Sequence, residues 1–123
     1  PEELRHHPLR GAVFESFVAS EAAKALANRG LADDLHHYRD ARGLEVDLVL
    51  DRFPSPVLVE AKSGATAALD QFAPLSQLAH RAADKLPGAA PRKAIVYGGD
   101  ERRSGADGDL VPWRELPAFL AEA

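Results

Sequence analysis

The chain has 123 residues, 46% of them hydrophobic, a formal charge of −4, and neither Cys nor Met. That length and apolar content predict one domain around a single packed core. Without Cys there are no disulfides, thiolate zinc sites or cysteine nucleophiles, and no apolar run approaches the ~18 residues of a membrane span.

A soluble cytoplasmic domain with no membrane partner is therefore expected. The acidic balance argues against tight, sequence-independent binding to nucleic acid, which needs an excess of Lys and Arg, although local basic patches can still serve. The chain begins Pro-Glu-Glu without an initiator, so it is expected to come from a longer polypeptide.

The first element is a helix between Leu9 and Gly30, where Val13, Phe14, Phe17, Val18, Ala22, Ala25 and Leu26 recur at helical spacing. At about 100° per residue, Glu21 falls among Phe14, Phe17 and Val18, and Glu15 lies at the edge beside Ala22 and Leu26. At least one of these carboxylates should point inward. Leu35 to Arg39 and Glu45 to Leu50 then read as a hairpin around Asp40-Ala41-Arg42-Gly43. Pro54 and Pro56 precede a third strand, Val57 to Lys62, whose continuous apolar run predicts burial on both faces. A second helix is expected from about Thr66 to Lys85, with Pro74 bearing on its first turn or kinking it. After a loop from Leu86 to Pro91, Lys93 to Tyr97 reads as a short strand, and Asp100 to Asp109 as a mobile polar loop. Asp109 to Pro112 suggests an edge strand, and Trp113 to Leu120 a terminal helix on which Trp113 packs against the core. The fold class is α/β: a central mixed sheet flanked by helices, in the order αβββαβ followed by β and α.

Two of these strands carry charge where burial should forbid it. Glu60 and Lys62 emerge on one face of the third strand, and Asp47 lies on the strand before it. Removing a carboxylate or ammonium from water costs several kcal/mol unless it is paired or holds a metal. A divalent-metal site is one reason for such a cluster, and a salt-bridged charge cluster is the other.

A helix, three strands with Asp47 in the second and Glu60-Ala61-Lys62 in the third, then helix and strand, resembles the PD-(D/E)xK nuclease superfamily, the restriction-endonuclease-like fold. Gly11-Ala12-Val13-Phe14-Glu15 resembles the first-helix motif of archaeal Holliday-junction resolvases, a match that favours Glu15 over Glu21. Pro8 to Glu15, Tyr38 to Asp47, Val59 to Gly64 and Val96 to Gly99 together are similar to an uncharacterised domain found at the C-terminus of bacterial and archaeal AAA-type ATPases. The resemblance implies hydrolysis of phosphodiester bonds in DNA or RNA, with Mg²⁺ or Mn²⁺ held by Asp47 and Glu60, Glu15 assisting, and Lys62 orienting or deprotonating water. It also implies an upstream ATPase domain in the same polypeptide. The alternative is a module that kept the fold, lost turnover and serves as a binding or regulatory platform for the ATPase. Val46 rather than Pro precedes Asp47, as in many members. Leu75 and Arg81, not Tyr, stand four residues after Gln71 and Gln77, so the helix motif of the recombination-nuclease branch is missing.

Other signals have plainer readings. Glu21 can pair with Lys24 three residues on. His6-His7 and His36-His37 are adjacent residues that cannot chelate from one strand face and read as surface. Arg5, Arg10, Arg39, Arg42, Lys85, Arg92, Lys93, Arg102 and Arg103 can frame a phosphate track, but scattered Arg is more often solvated.

Overall fold

The computed structural model describes residues 9–30, 34–51, 56–66, 69–85 and 91–122. Helix α1 (Arg10–Ala27) is followed by strands β1 (Leu35–Arg39), β2 (Glu45–Leu50) and β3 (Val57–Lys62). A 3-10 turn (Leu69–Phe72) leads into α2 (Ala73–Lys85), then come β4 (Arg92–Tyr97), β5 (Arg103–Gly105) and β6 (Gly108–Pro112). A second 3-10 turn (Trp113–Glu115) opens α3 (Leu116–Glu122). The strands form one mixed sheet in the order β1-β2-β3-β4-β6-β5. The pairs β1–β2, β2–β3 and β5–β6 are antiparallel, and β3–β4 and β4–β6 are parallel.

Helices cover both faces. On one, Val18, Ala22 and Leu26 of α1 and Leu116, Phe119 and Leu120 of α3 pack on Leu48, Leu50, Val57, Val59 and Val96. On the other, Phe72 and Leu75 cover Val46, Leu58, Ile95 and Tyr97. Each such side chain contributes about 1.5–3 kcal/mol relative to exposure. Between these layers β3 is buried from Val57 through Ala61, as its unbroken apolar run predicts. Pro74 sits in the first turn of α2, where its missing N–H has no helical acceptor, and so it starts the helix without kinking it.

The β1–β2 turn is shaped by Asp40, whose Oδ1 accepts the Arg42 and Leu44 N–H groups at 2.9 and 3.0 Å. Gly43 takes a φ of +92° there, a region that side-chain-bearing residues avoid. Arg81 of α2 then ties the turn to the helix through Asp40.

Four expectations need correction. The segment 100–109 is a hairpin arm, because Arg103–Gly105 pairs antiparallel with β6. Strand β6 therefore lies inside the sheet, and β5 is the edge. The inward face of α1 centres on Val18, Ala22 and Leu26, which lines up with Glu15 but leaves that residue exposed, and Phe17 41% exposed. Trp113 is 36% exposed and meets Phe17 edge-on at 5.4 Å, so it lies at the core's margin. The loop expected at 86–91 falls almost wholly outside the described residues.

At the carboxyl ends of β3 and β4 two loops touch. The Gly98 N–H donates to the Gly64 carbonyl at 2.9 Å, and a Cβ on Gly98 would stand 2.4 Å from the Ser63 carbonyl oxygen. Backbone cannot yield as a side-chain tip does. Gly98→Ala is expected to destabilise the domain by about 1–3 kcal/mol in urea unfolding, as overpacking of a close contact does. Unchanged stability would show that the loops separate freely.

Candidate functional site

The conspicuous charges sit where β2 enters the sheet and β3 leaves it. From Leu48 to Leu50, β2 pairs regularly with Val59 to Val57. One residue earlier the ladder gives way to side chains. The Asp47 N–H donates to Glu60 Oε1 at 3.1 Å, and the Ala61 N–H donates to Asp47 Oδ2 at 2.8 Å. Each carboxylate thus bonds the other strand's backbone, and the two carboxyl groups also approach each other.

A change of register in the neighbouring pair places Asp47 there. Leu35 opposes Leu50 and His36 opposes Val49, but Tyr38 opposes Val46, so Asp47 and Leu48 together face His37. This is a β-bulge, one extra residue that re-aims the strand. Its effect shows in the packing: Val46 joins the cluster under α2, whereas Leu48 and Leu50 join the one under α1. In an unbroken strand all three would share a face.

Glu60 is only 7% exposed, and burial, reinforced by the Asp47 carboxylate, pushes its carboxyl up to about 7. The Asp47 N–H and Lys62 oppose that rise but do not cancel it. Glu15 reaches the group from α1. Its residue surface is exposed, yet partial loss of water around the carboxyl and the Asp47 charge raise it above the usual range, with Lys62 acting the other way. Glu15, Asp47, Glu60 and Lys62 therefore share one electrostatic neighbourhood. Glu21 does not join it and lies 3.5 Å from Lys24, as its spacing predicts.

Among the described residues no three His, Asp or Glu side chains stand close enough together to hold a metal ion. The donor chemistry still suits a hard cation. Mg²⁺ keeps several waters and takes only one or two protein carboxylates, which Asp47 and Glu60 can supply. A pair so short of positive charge that one member holds a proton near neutrality has reason to accept a cation in its place.

His37 belongs to this site and was not legible as such. It is on the surface, as expected, but its Nδ1 lies 3.1 Å from the Asp47 carbonyl oxygen and its Nε2 3.1 Å from Glu45 Oε1. Only knowledge of the bulge across the strand pair could have singled it out. The proposed phosphate track does not form as a unit. Arg92 pairs with Asp109 and Glu122, Arg102 with Glu122 and Glu115, and Arg103 with Glu101. Lys93 donates to Ser76 Oγ. Arg39 and Arg42 are exposed on the hairpin beside Glu45. His6, His7 and Arg5 lie outside the described residues, as does the side chain of Lys85.

The family model described as Domain of unknown function (DUF4143) matches residues 10–116. The chain belongs to that family. No curated protein and no solved structure matches it. The match runs from the start of α1 to the start of α3, so every residue of the DUF4143 site described above falls inside it. No helix among the described residues of this DUF4143 chain is long and apolar enough to cross a membrane.

Proposed function

We propose that this domain is a Mg²⁺- or Mn²⁺-dependent phosphodiesterase of the restriction-endonuclease-like type, acting on DNA or RNA alongside an AAA-type ATPase. The observation that carries the reading is the reciprocal Asp47–Glu60 arrangement at the strand fork, with Lys62 and Glu15 in electrostatic reach. It lies at the carboxyl end of β3, where open α/β sheets commonly place ligands.

In this reading Asp47 and Glu60 hold the cation and Glu15 adds negative charge from the helix side. A divalent ion there supplies polarisation of the phosphate and a lowered pKa for attacking water. Lys62 orients that water or takes its proton, while the phosphorus–oxygen bond to the leaving group breaks and the departing oxygen is protonated from solvent. In this reading Arg39 and Arg42, exposed on the hairpin near Glu45, meet backbone phosphates.

A second reading, a nuclease-like module without turnover that binds nucleic acid or protein, is favoured because no three potential donors stand close enough together among the described residues to hold a metal ion. A screen on plasmid, single-stranded and branched DNA and on RNA, with Mg²⁺ or Mn²⁺, separates the two. Cleavage is expected to vanish in Asp47→Asn and to fall roughly 10²-fold in Lys62→Met, the low end of what a positioned acid–base group contributes. Metal binding without cleavage of any substrate would establish the module reading. Cleavage that survives Asp47→Asn would remove the site from both.

A further inference from the structure

We infer that His37 is a positioning residue for the carboxylate pair, holding the bulged Asp47 peptide in the orientation that joins β2 to β3 through side chains. The bulge removes Asp47 from the regular ladder, and a buried or half-buried peptide must then find other partners. All three polar groups of Asp47 do so: the N–H donates to Glu60 Oε1, the carboxylate accepts from Ala61 N–H, and the carbonyl faces His37 Nδ1. A carbonyl only accepts, so Nδ1 carries the bonding proton.

The opposite end of the ring is also engaged, 3.1 Å from Glu45, two residues before Asp47. With Nδ1 protonated, Nε2 donates to Glu45 only when the ring carries both protons, so it is the imidazolium that braces β2 on both sides of Val46. Core packing does not account for it, since its side chain is 49% exposed. Release of the Asp47 carbonyl would let the backbone shift at the Asp47 Cα, from which both the N–H that meets Glu60 and the carboxylate that Ala61 holds take their direction. His37 thus acts on the pair from the far side of the strand without touching what the pair binds.

The metal part of this inference rests on the reading of the Asp47–Glu60 pair as a cation site, and the test separates the two. Amide hydrogen exchange of the metal-free protein and Mn²⁺ calorimetry are to be run on wild type, His37→Ala and His37→Asn, the last retaining a donor near Nδ1. In His37→Ala the Asp47 and Ala61 amides are expected to exchange roughly 5- to 10-fold faster, the worth of about one hydrogen bond, while the ladder amides of Leu48 to Leu50 stay unchanged. Mn²⁺ affinity should fall about 10-fold or more, as it does when a ligand loses its supporting partner. His37→Asn should restore both. Unchanged Asp47 and Ala61 exchange, or equal acceleration across the whole sheet, would overturn the positioning role. If wild type binds no Mn²⁺, the metal reading falls, and the amide pattern alone decides for or against His37.

Discussion

Raising the pH from 4.5 to about 7 is expected to destabilise the folded domain by up to about 3 kcal/mol, and Glu60→Gln is expected to remove most of that loss. Below its ordinary value of 4.5 the Glu60 carboxyl is protonated in both folded and unfolded chains. Between there and 7 the unfolded chain gives up the proton while the folded one keeps it, so the folded state binds more protons and loses ground as pH rises. Above 7 both are ionised and the loss is complete. Asp40 and Glu122, held below the usual range by Arg81 and Arg102, act in the opposite sense but only as pH falls beneath their ordinary values. They leave this window clear, whereas Glu15, raised by partial burial and by the Asp47 charge, adds to the loss within it. Gln keeps an oxygen for the Asp47 N–H and offers its amide to the Asp47 carboxylate, so the variant should be the more stable protein at pH 8, by roughly 10 °C in melting temperature. Parallel stability profiles for wild type and variant from pH 4.5 to 7 would show that Glu60 is not the group responsible.

A divalent cation should reverse the same deficit. At pH 8, Mg²⁺ or Mn²⁺ at a hundred times its dissociation constant is expected to stabilise the domain by about 2.7 kcal/mol, since ligand that binds only the folded state shifts the equilibrium by mass action. At pH 5 the effect should nearly disappear, because a proton already occupies the place that the cation needs. Binding near neutrality should release a proton, which calorimetry in two buffers of different ionisation heat detects. Asp47→Asn removes one charge while preserving an acceptor for the Ala61 N–H, so it tests the charge without cutting the strand fork. A stabilisation as large in Asp47→Asn as in wild type would place the cation elsewhere. None at millimolar metal would leave Asp47 and Glu60 as a proton-sharing pair, in keeping with a module that does not turn over substrate.

Much of this could be read from residue order, and the failures have physical causes. Strand β3 was legible because its apolar run is unbroken, and the β1–β2 hairpin because Asp40 and Gly43 supply the acceptor and the backbone freedom its turn uses. The β5 arm was not, since Arg103-Ser104-Gly105 is short, polar and exposed, and its structure comes from hydrogen bonds to β6. The conflict of charge and burial at Asp47 and Glu60 was also legible, and the structure brings those two residues together. What stayed hidden was the bulge. Val46, Leu48 and Leu50 alternate as a regular strand should, and only the register against β1 and their packing into different layers reveal the extra residue. His37 was missed for the same reason, because its significance lies in what stands across from it.

The two free margins of the sheet bear on how the domain behaves when crowded. One is β5, only three residues long, and the other is β1, where His36, His37 and Arg39 are exposed and the ladder is interrupted. A long, flat, apolar margin invites a second chain to add a strand, whereas short or charged ones discourage it. With both margins of the discouraging kind, concentrated solutions of this domain should resist edge-to-edge aggregation.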